Sequence, residues 1–179
     1  MEKNAYFLFV GQISIRKNII NLLKAFLLSG LHSDFKLVLA GMEGRGIEII
    51  KEAILELGLN ERVELLNYIP DESLSSLYEN AVGFVFPTFY EGFGIPILEA
   101  MMNRTPVLSG NIGASPETAG GFAVEVSPFS VDEISEGLKN LLAIPKDKIE
   151  NAFNYANNFN WQNNAIETHK FYEETLNSL

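Results

Sequence analysis

The sequence predicts an α/β fold: a doubly wound, Rossmann-like parallel sheet of about six strands, with extra helices at the C-terminus. Two observations carry this prediction. Six short apolar segments recur along the chain, and most are continuous hydrophobic runs, which is typical of strands buried on both faces of a parallel sheet. Amphipathic helical patterns fill the intervals between these segments, so strands and helices alternate as in βαβ units.

The predicted strands are short and regularly spaced. In chain order they cover residues 6–11, 35–41, 63–66, 82–87, 106–110 and 121–126. Tyr6, Phe7 and Phe9 in the first of them are predicted to be core residues. Ligands of open α/β sheets bind beyond the carboxyl ends of the strands, so the loops that follow the strands are the places to look for a site.

Helices are predicted from apolar stripes at three- and four-residue spacing. The main patterns cover residues 18–28, 47–58, 71–81 and 130–142, and two more, at about 145–158 and 161–177, follow the last strand.

Local signals predict several helix ends. Gly58 fits a C-cap, Asp71 and Asn160 fit N-caps, and Ser130 with Glu133 fits a capping box. Trp161 and Phe171 are predicted to anchor the last helix through apolar contacts.

Composition limits the classes of function. The 179 residues suffice for one domain and include no cysteine, which excludes disulfides, thiol catalysis and cysteine-ligated zinc. The net charge of −10 argues against nucleic-acid and anionic-membrane partners, because both need a basic face. No apolar run reaches the ~18 residues of a membrane span, and no secretory signal is evident, so we predict a cytoplasmic setting.

The first candidate loop, "GQISIRKN", follows the first strand. Gly11 opens it, and Arg16 and Lys17 lie where a helix begins, so their charges would add to the positive end of the helix dipole and attract an anion. A solvated charge pair is the alternative interpretation. The loop does not match the P-loop pattern.

The second candidate loop, "GMEGRG" (41–46), follows the second strand. Its spacing does not fit the dinucleotide fingerprint, and we interpret it as a flexible turn.

The third candidate is the turn "EGFG" and the helix after it. Gly92 and Gly94 allow close approach of a ligand, Pro96 fits the first helical position, and the amides from Phe93 to Ile95 would face an anion. Glu91 and Glu99 bracket this turn. Each glutamate alone could be a helix-dipole partner or a solvated carboxylate, but a carboxylate beside a phosphate makes sense if it accepts hydrogen bonds from sugar or ribose hydroxyls.

Other catalytic sets are missing from the sequence. His32 and His169 are the only histidines, and we interpret both as structural. No Ser-His-Asp set, nucleophile elbow or metal-ligand spacing is present. We therefore predict no metal and no cofactor.

Several ordered blocks now resemble one family. "YEGFGIPILEAMMNRTPVL" (90–108) is similar to the E-x7-E signature of the family 4 glycosyltransferases, with Glu91 and Glu99 as its glutamates. "FLFVGQISIRKNIINLLKAF", "LVLAG", "VELLNYIPDESLSSLYENA", "NIGASPETAG" and "FNWQNNAIETHKFYEETL" resemble the family's other blocks in order. The chain departs from the family at Gly121, where an aspartate is usual, and at Met102–Arg104, where a Cys-Gly pair is common.

The resemblance implies that residues 1–179 form one glycosyltransferase group 1 domain, the donor-binding C-terminal half of a two-domain GT-B enzyme that is usually retaining and metal-independent. It implies catalytic roles for Glu91, Lys17 and Arg16, with the two cations on the donor diphosphate and Glu91 on sugar hydroxyls. Glu99 would bind the ribose hydroxyls. The remaining implied donor contacts are Gly11, Tyr68 and Ile69, of which the last two border the base, and the backbone of Gly92, Phe93, Gly94 and Ile95.

The resemblance also implies a partner. The acceptor-binding N-terminal GT-B domain is absent from this chain, so we expect it to be supplied in cis or in trans. In the first case this chain is a domain excised from a longer protein, and in the second it is a naturally separate subunit. The last helix, which in the family crosses onto that domain, would have no surface to cover. The full-length protein would be cytoplasmic, at most peripheral to the inner face of the membrane.

The predicted function is transfer of a sugar from a UDP-, GDP- or ADP-linked donor to an unknown acceptor, in polysaccharide, glycan or glycolipid synthesis. Two alternatives remain: a non-catalytic nucleotide-sugar-binding module or subunit, and a nucleotide-sugar epimerase of related fold. The sheet pattern alone also allows a flavodoxin-like or receiver domain, but the first strand does not end in the acidic cluster of receiver domains.

Overall fold

The computed structural model describes residues 6–178, which form a six-stranded parallel sheet. The strands are β1 (Tyr6–Val10), β2 (Lys36–Ala40), β3 (Val63–Leu66), β4 (Gly83–Phe86), β5 (Val107–Gly110) and β6 (Val124–Val126). Their order across the sheet is β3-β2-β1-β4-β5-β6, and every neighbouring pair is parallel. The doubly wound class predicted from the sequence is confirmed, and all six predicted strands are present, with β6 beginning at Val124 rather than Gly121.

Helices connect the strands and follow the last one. They are α1 (Ile19–Ser29), α2 (Ile47–Glu56), α3 (Asp71–Glu79), α4 (Ile95–Met102), α5 (Ser115–Ala119), α6 (Val131–Leu141), α7 (Lys146–Ala156) and α8 (Trp161–Asn177). Short 3₁₀ turns precede β2 at Leu31–Ser33 and α1 at Ile15–Lys17. The sequence patterns missed only α5, because five residues are too few to show a helical stripe.

The helix caps differ in detail from the predictions. Helix α3 takes Pro70 as its N-cap, and Asp71 is its first residue. Helix α2 takes Leu57 as its C-cap, and Gly58 follows it with a φ of 67°. Asn160 caps α8 as predicted, since its side chain accepts a hydrogen bond from the Asn163 amide at 2.9 Å.

The capping box at α6 is only half formed. The Ser130 hydroxyl accepts a hydrogen bond from the Glu133 amide at 3.1 Å. The Glu133 carboxylate, however, accepts one from the Ser127 amide at 2.9 Å rather than from Ser130. The Glu133 side chain thus accepts from the loop before the cap, and this hydrogen bond links the first turn of α6 to Ser127.

Aromatic side chains form the centre of the core. Phe7 packs edge-on against Phe26 and Phe35, and on β1 and β4 the Phe9 and Phe86 rings stack at 5.6 Å. Tyr6, Phe7 and Phe9 are buried, as predicted. The carboxyl ends of β1 and β4, where a ligand would bind, therefore sit directly on a close-packed core.

The two C-terminal helices behave differently. Helix α7 packs against the main body: Arg104, just after α4, contacts Glu150 at 2.7 Å and lies 3.6 Å from the centre of the Phe153 ring. Every residue from Trp161 to Ser178 is exposed, so the prediction that Trp161 and Phe171 anchor α8 was wrong. No residue of α8 is buried, and within residues 6–178 no element covers its apolar side chains.

Among the described residues, no helix combines the length and the apolar character that a membrane span requires.

Candidate functional site

The site lies at the topological switch point of the sheet. From β1 the chain moves outward to β2 and β3, then returns to β4 on the other side of β1 and continues to β5 and β6. The connections after β1 and β4 therefore diverge and leave a crevice, which is where doubly wound sheets bind ligands. The first and third candidate loops flank this crevice, and the second borders it after β2.

A buried ion pair joins the two sides of the crevice. The Lys17 Nζ, at the end of the 3₁₀ turn, donates a hydrogen bond to the Glu91 Oε1 at 2.6 Å, although the residues are 74 positions apart. The two side chains are only 10% and 12% exposed, and the Nζ lies 5.3 Å from the centre of the Phe86 ring. Sequence reasoning assigned these residues to different parts of a ligand, whereas the structure also places them in direct contact.

Asn18, which follows Lys17 in the chain, ties three loops at this end of the sheet together, and sequence reasoning missed it as a site residue. It adopts a left-handed φ of 62° and is 2% exposed. Its Nδ2 donates to the carbonyls of Pro87, after β4, and Pro128, after β6, at 2.8 and 2.7 Å. Asparagine directly after a cation pair was the available signal, since asparagine tolerates the left-handed region that ends a turn.

Two backbone carbonyls of the turn from Glu91 to Gly94 accept hydrogen bonds from residues near α5. The Ala114 amide donates to the Glu91 carbonyl at 3.4 Å, and the Thr118 hydroxyl donates to the Phe93 carbonyl. The amides of Gly92, Phe93 and Gly94 donate to no acceptor within residues 6–178. The turn thus offers donors at the start of α4, the arrangement that binds phosphates in many α/β proteins.

The start of α4 differs by one residue from the prediction. Gly94 is the N-cap with a φ of 97°, which favours glycine, and Ile95 rather than Pro96 is the first helical residue. The side chains of Phe93 and Ile95 line a groove of ≈530 Å³ together with residues at the start of α8. Neither side chain lines the cavity beside Gly11 or the one that Glu99 shares with Tyr78, so backbone contacts from these two residues stay a prediction.

Glu99 lies one turn into α4 and is separate from the ion pair. Its Oε2 accepts a hydrogen bond from the Tyr78 hydroxyl, on α3, at 2.9 Å. Burial, and then the charge and hydrogen bond of Glu99, raise the pKa of Tyr78 above its ordinary value, so the phenol stays protonated and keeps donating. Glu99 also lines a cavity of ≈420 Å³ with Leu74 and Ser75.

A neighbouring cavity of ≈420 Å³ brings together Gly11, Tyr68 and Ile69, which the sequence predicted as donor contacts. Gly41 closes its floor, because a Cβ at this position would lie 2.1 Å from the Gly11 carbonyl oxygen. Leu74 lines both this cavity and the one beside Glu99, so the two adjoin. We call the cavity lined by Gly11, Tyr68 and Ile69 the nucleoside cavity.

Arg16 lines a further cavity, which Lys17 does not line. It is exposed and lines a cavity of ≈560 Å³ with Gln12, Ser14, Ile15, Arg45 and Phe89, which we call the arginine cavity. Arg45 belongs to the loop that we interpreted as a flexible turn. The structure ties this loop to the one after β1: the Ile13 amide donates to the Met42 carbonyl, and the Gly44 amide to the Ile13 carbonyl, both at 2.9 Å.

Within residues 6–178, no group of three or more His, Asp or Glu side chains is arranged to hold a metal ion. His169 is exposed and contacts Glu173 at 3.4 Å on α8, and His32 lies in the turn before β2, so neither belongs to the crevice.

The fold and the crevice define a doubly wound, Rossmann-like α/β domain with a ligand-binding type of crevice at its switch point. Comparison with known proteins specifies it further: the chain belongs to the glycosyl transferases group 1 family, whose model matches residues 1–159. The resemblance noted in the sequence is therefore confirmed.

Curated relatives span more than this chain does. It is 36% identical to the O-antigen chain mannosyltransferase B of Escherichia coli over 94% of this chain, and 30% identical to the O-antigen chain mannosyltransferase RfbU of Salmonella typhimurium over 90%. The matched region covers 45% of each relative, so this chain spans about half of their length.

Solved glycosyltransferase structures share the fold. WaaG, described as a glycosyltransferase involved in lipopolysaccharide biosynthesis, is 25% identical with a TM-score of 0.74, covering 88% of this chain and 44% of its own. The sucrose-phosphate synthase of Thermosynechococcus elongatus has a TM-score of 0.83 at 24% identity, covering 99% of this chain and 46% of its own. The predicted GT-B type of Rossmann-like domain is thus confirmed at the level of the fold.

Proposed function

We propose that this chain is the donor-binding domain of a retaining glycosyltransferase, which transfers a sugar from a nucleoside-diphosphate sugar to an acceptor in polysaccharide, glycan or glycolipid synthesis. The observation that carries the proposal is the Lys17–Glu91 contact of 2.6 Å across the switch point, in a member of the glycosyl transferases group 1 family. A cation and a carboxylate side by side match a ligand that presents phosphates next to hydroxyls.

The named relatives support this class of reaction. The two curated relatives described above are mannosyltransferases of O-antigen chains, and WaaG is involved in lipopolysaccharide biosynthesis. A mannosyl donor is therefore the first sugar to test, and a surface polysaccharide the first class of product.

Lys17 and Glu91 would divide the donor between them. An ammonium group has three donors, and Glu91 takes one, so two remain for the phosphate next to the sugar. The Glu91 carboxylate would accept hydrogen bonds from sugar hydroxyls. The amides of Gly92, Phe93, Gly94 and Ile95 would add donors on the phosphate side.

The nucleoside would extend from there towards α3. One oxygen of Glu99 already accepts from Tyr78, which leaves the other for the ribose hydroxyls. The base would lie in the nucleoside cavity, bordered by Gly11, Tyr68 and Ile69.

The chemistry would follow from where charge develops. When the bond between the anomeric carbon and the diphosphate oxygen breaks, its electron pair leaves with the diphosphate. Lys17, Arg16 and the amides at the start of α4 would stabilise that charge. The sugar becomes oxocarbenium-like, and the negative Glu91 beside it would favour this positive charge. We propose neither a metal nor a cofactor for this step.

Two further features belong to the proposal. An acceptor-binding domain, in cis or in trans, would complete the crevice, since the curated relatives are about twice as long as the matched region. A cytoplasmic setting is also part of the proposal, and the absence of cysteine from the 179 residues is compatible with it.

Calorimetry on this chain tests the proposal. We expect UDP, GDP or ADP to bind, the affinity to weaken with added salt, and Lys17→Ala to bind about tenfold less tightly because a charged hydrogen bond is lost. Lys24→Ala is the control, since Lys24 is exposed on α1. Circular dichroism confirms that each variant is folded.

Failure has a clear form here. A folded wild-type chain that binds none of the three nucleotides contradicts the donor site, and so does a folded Lys17→Ala variant that binds as tightly as the wild type.

A further inference from the structure

We propose that Arg45 is a phosphate-binding residue, which together with Arg16 clamps the diphosphate of the nucleotide sugar. This inference rests on the proposed function and assigns a donor contact to the loop after β2, which the sequence motifs leave without a role. The ligand group is the diphosphate, and the site is the arginine cavity.

The first argument is charge balance. The Lys17 ammonium already contacts the Glu91 carboxylate at 2.6 Å, so this pair contributes little net positive charge. A nucleoside-diphosphate sugar brings a negative charge on each of its two phosphates. Arg16 alone balances one of these charges, and a second cation is needed for the other.

Arg45 is positioned to be that cation. The Arg45 carbonyl accepts a hydrogen bond from the Ile15 amide at 3.2 Å, which fixes the backbone of residue 45 beside that of Arg16. The loops also form a parallel bridge between Ile13 and Glu43. The two arginines are thus held side by side by backbone contacts, and both side chains line one cavity of ≈560 Å³.

Neither guanidinium is occupied by a carboxylate of the described residues. Within residues 6–178, Arg16 and Arg45 form no ion pair, in a chain whose net charge is −10. Two like charges held together without a carboxylate repel each other, and an anion between them removes that cost. Guanidinium groups also match the geometry of phosphate oxygens through paired N–H donors.

The polar lining of the cavity adds to this. Ser14, in the wall of this cavity, is 3% exposed, and its Oγ has no hydrogen-bond partner among the described residues. Buried hydroxyls are usually hydrogen-bonded, so this one is available to a ligand in the cavity. Gln12 lines both the arginine cavity and the nucleoside cavity, so the two adjoin. This adjacency favours the phosphates of a bound nucleotide over an unrelated anion.

The test compares ligands that differ only in phosphate number. The nucleoside, monophosphate and diphosphate of the base that binds the wild-type chain are titrated into Arg45→Ala, Arg45→Lys and the control Arg62→Ala. Arg62 directly precedes β3 and so lies at the amino ends of the strands, whereas the crevice lies at their carboxyl ends. Arg62→Ala therefore matches the charge change without touching the site.

We expect Arg45→Ala to bind the diphosphate about tenfold less tightly and the nucleoside equally well. Arg45→Lys should lose less, because it keeps the charge but not the paired donors. Arg62→Ala should match the wild type. Arg45 is exposed, so thermal melting should show all three variants folded.

The outcomes separate this inference from the proposed function. Wild-type affinity for the diphosphate in Arg45→Ala overturns the inference and leaves the donor site standing. A folded wild-type chain that binds no nucleotide overturns both.

Discussion

At the scale of single residues, Glu91 has two partners to serve. Its Oε1 accepts a hydrogen bond from Lys17, and in the proposed function the same carboxylate faces the donor sugar. Removing its charge should therefore separate nucleotide binding from sugar transfer.

We predict opposite effects of Glu91→Gln on these two properties. Lys17 would regain its full positive charge, so calorimetry should show a nucleoside diphosphate without sugar binding a few-fold more tightly, by roughly 0.5–1 kcal/mol. In the full-length enzyme kcat should fall, because the oxocarbenium-like sugar loses its adjacent negative charge. The control is Glu125→Gln, an exposed carboxylate on β6. Weaker nucleotide binding, or an unchanged kcat, would contradict this division.

Asn18 is the residue whose loss should disturb the site most without touching a ligand. Asn18→Ala removes two buried hydrogen bonds: the Pro87 carbonyl loses this donor, and the Pro128 carbonyl keeps the Asn21 Nδ2 at 3.2 Å. Urea unfolding should show a loss of about 2–4 kcal/mol of stability. Asn151→Ala, at an exposed position of α7, should change stability little. An equal stability for both variants would show that Asn18 does not tie the loops together.

At the scale of elements, helices α3 and α4 are connected through Tyr78 and Glu99. Tyr78 is buried between them and donates to Glu99, while the backbone carbonyl of Tyr78 accepts from the Thr105 hydroxyl at 2.8 Å. The nucleoside side of the crevice thus depends on one phenol remaining protonated.

This dependence predicts a change of stability at alkaline pH. Because the pKa of Tyr78 is raised in the folded protein, the folded state holds this proton more tightly than the unfolded state. The contribution of the protonated Tyr78 to the free energy of unfolding is fully present below the ordinary tyrosine pKa of about 10, and it is lost as the pH rises above that value. Urea unfolding between pH 8 and pH 11 should show a smaller alkaline loss of stability in Tyr78→Phe than in the wild type.

A comparison variant makes this measurement specific. Tyr90→Phe is suitable, because Tyr90 is 65% exposed. If Tyr78→Phe and Tyr90→Phe lose stability in parallel with the wild type above pH 10, Tyr78 does not carry the effect. Tyr6, which is buried, and Tyr155, which is half-buried, also have pKa values raised chiefly by burial, and they would account for the remaining slope.

At the scale of the whole molecule, the sequence predicted the sheet well for a physical reason. Strands such as β4 (Gly83–Phe86) are buried on both faces, so they appear as unbroken apolar runs. The turn at Glu91–Gly94 was predictable too, because its glycines and the proline after it have few other uses.

The remaining features depend on tertiary contacts that local patterns do not encode. Lys17 and Glu91 meet because β1 and β4 are neighbours, which no spacing along the chain reveals. Arg45 joins Arg16 because the loop after β2 pairs with the loop after β1. The apolar residues of α8 fit a packed helix, but periodicity does not show whether a packing surface is present.

The position of the ion pair has a consequence for how the domain folds. Lys17 follows β1, in the half of the sheet made by β1 to β3, and Glu91 follows β4, in the half made by β4 to β6. A ligand that needs both residues binds only when the halves have docked, so it stabilises the complete sheet and neither half alone. Nucleotide would therefore raise the cooperativity of unfolding as well as its midpoint, and would suppress openings in which one half detaches.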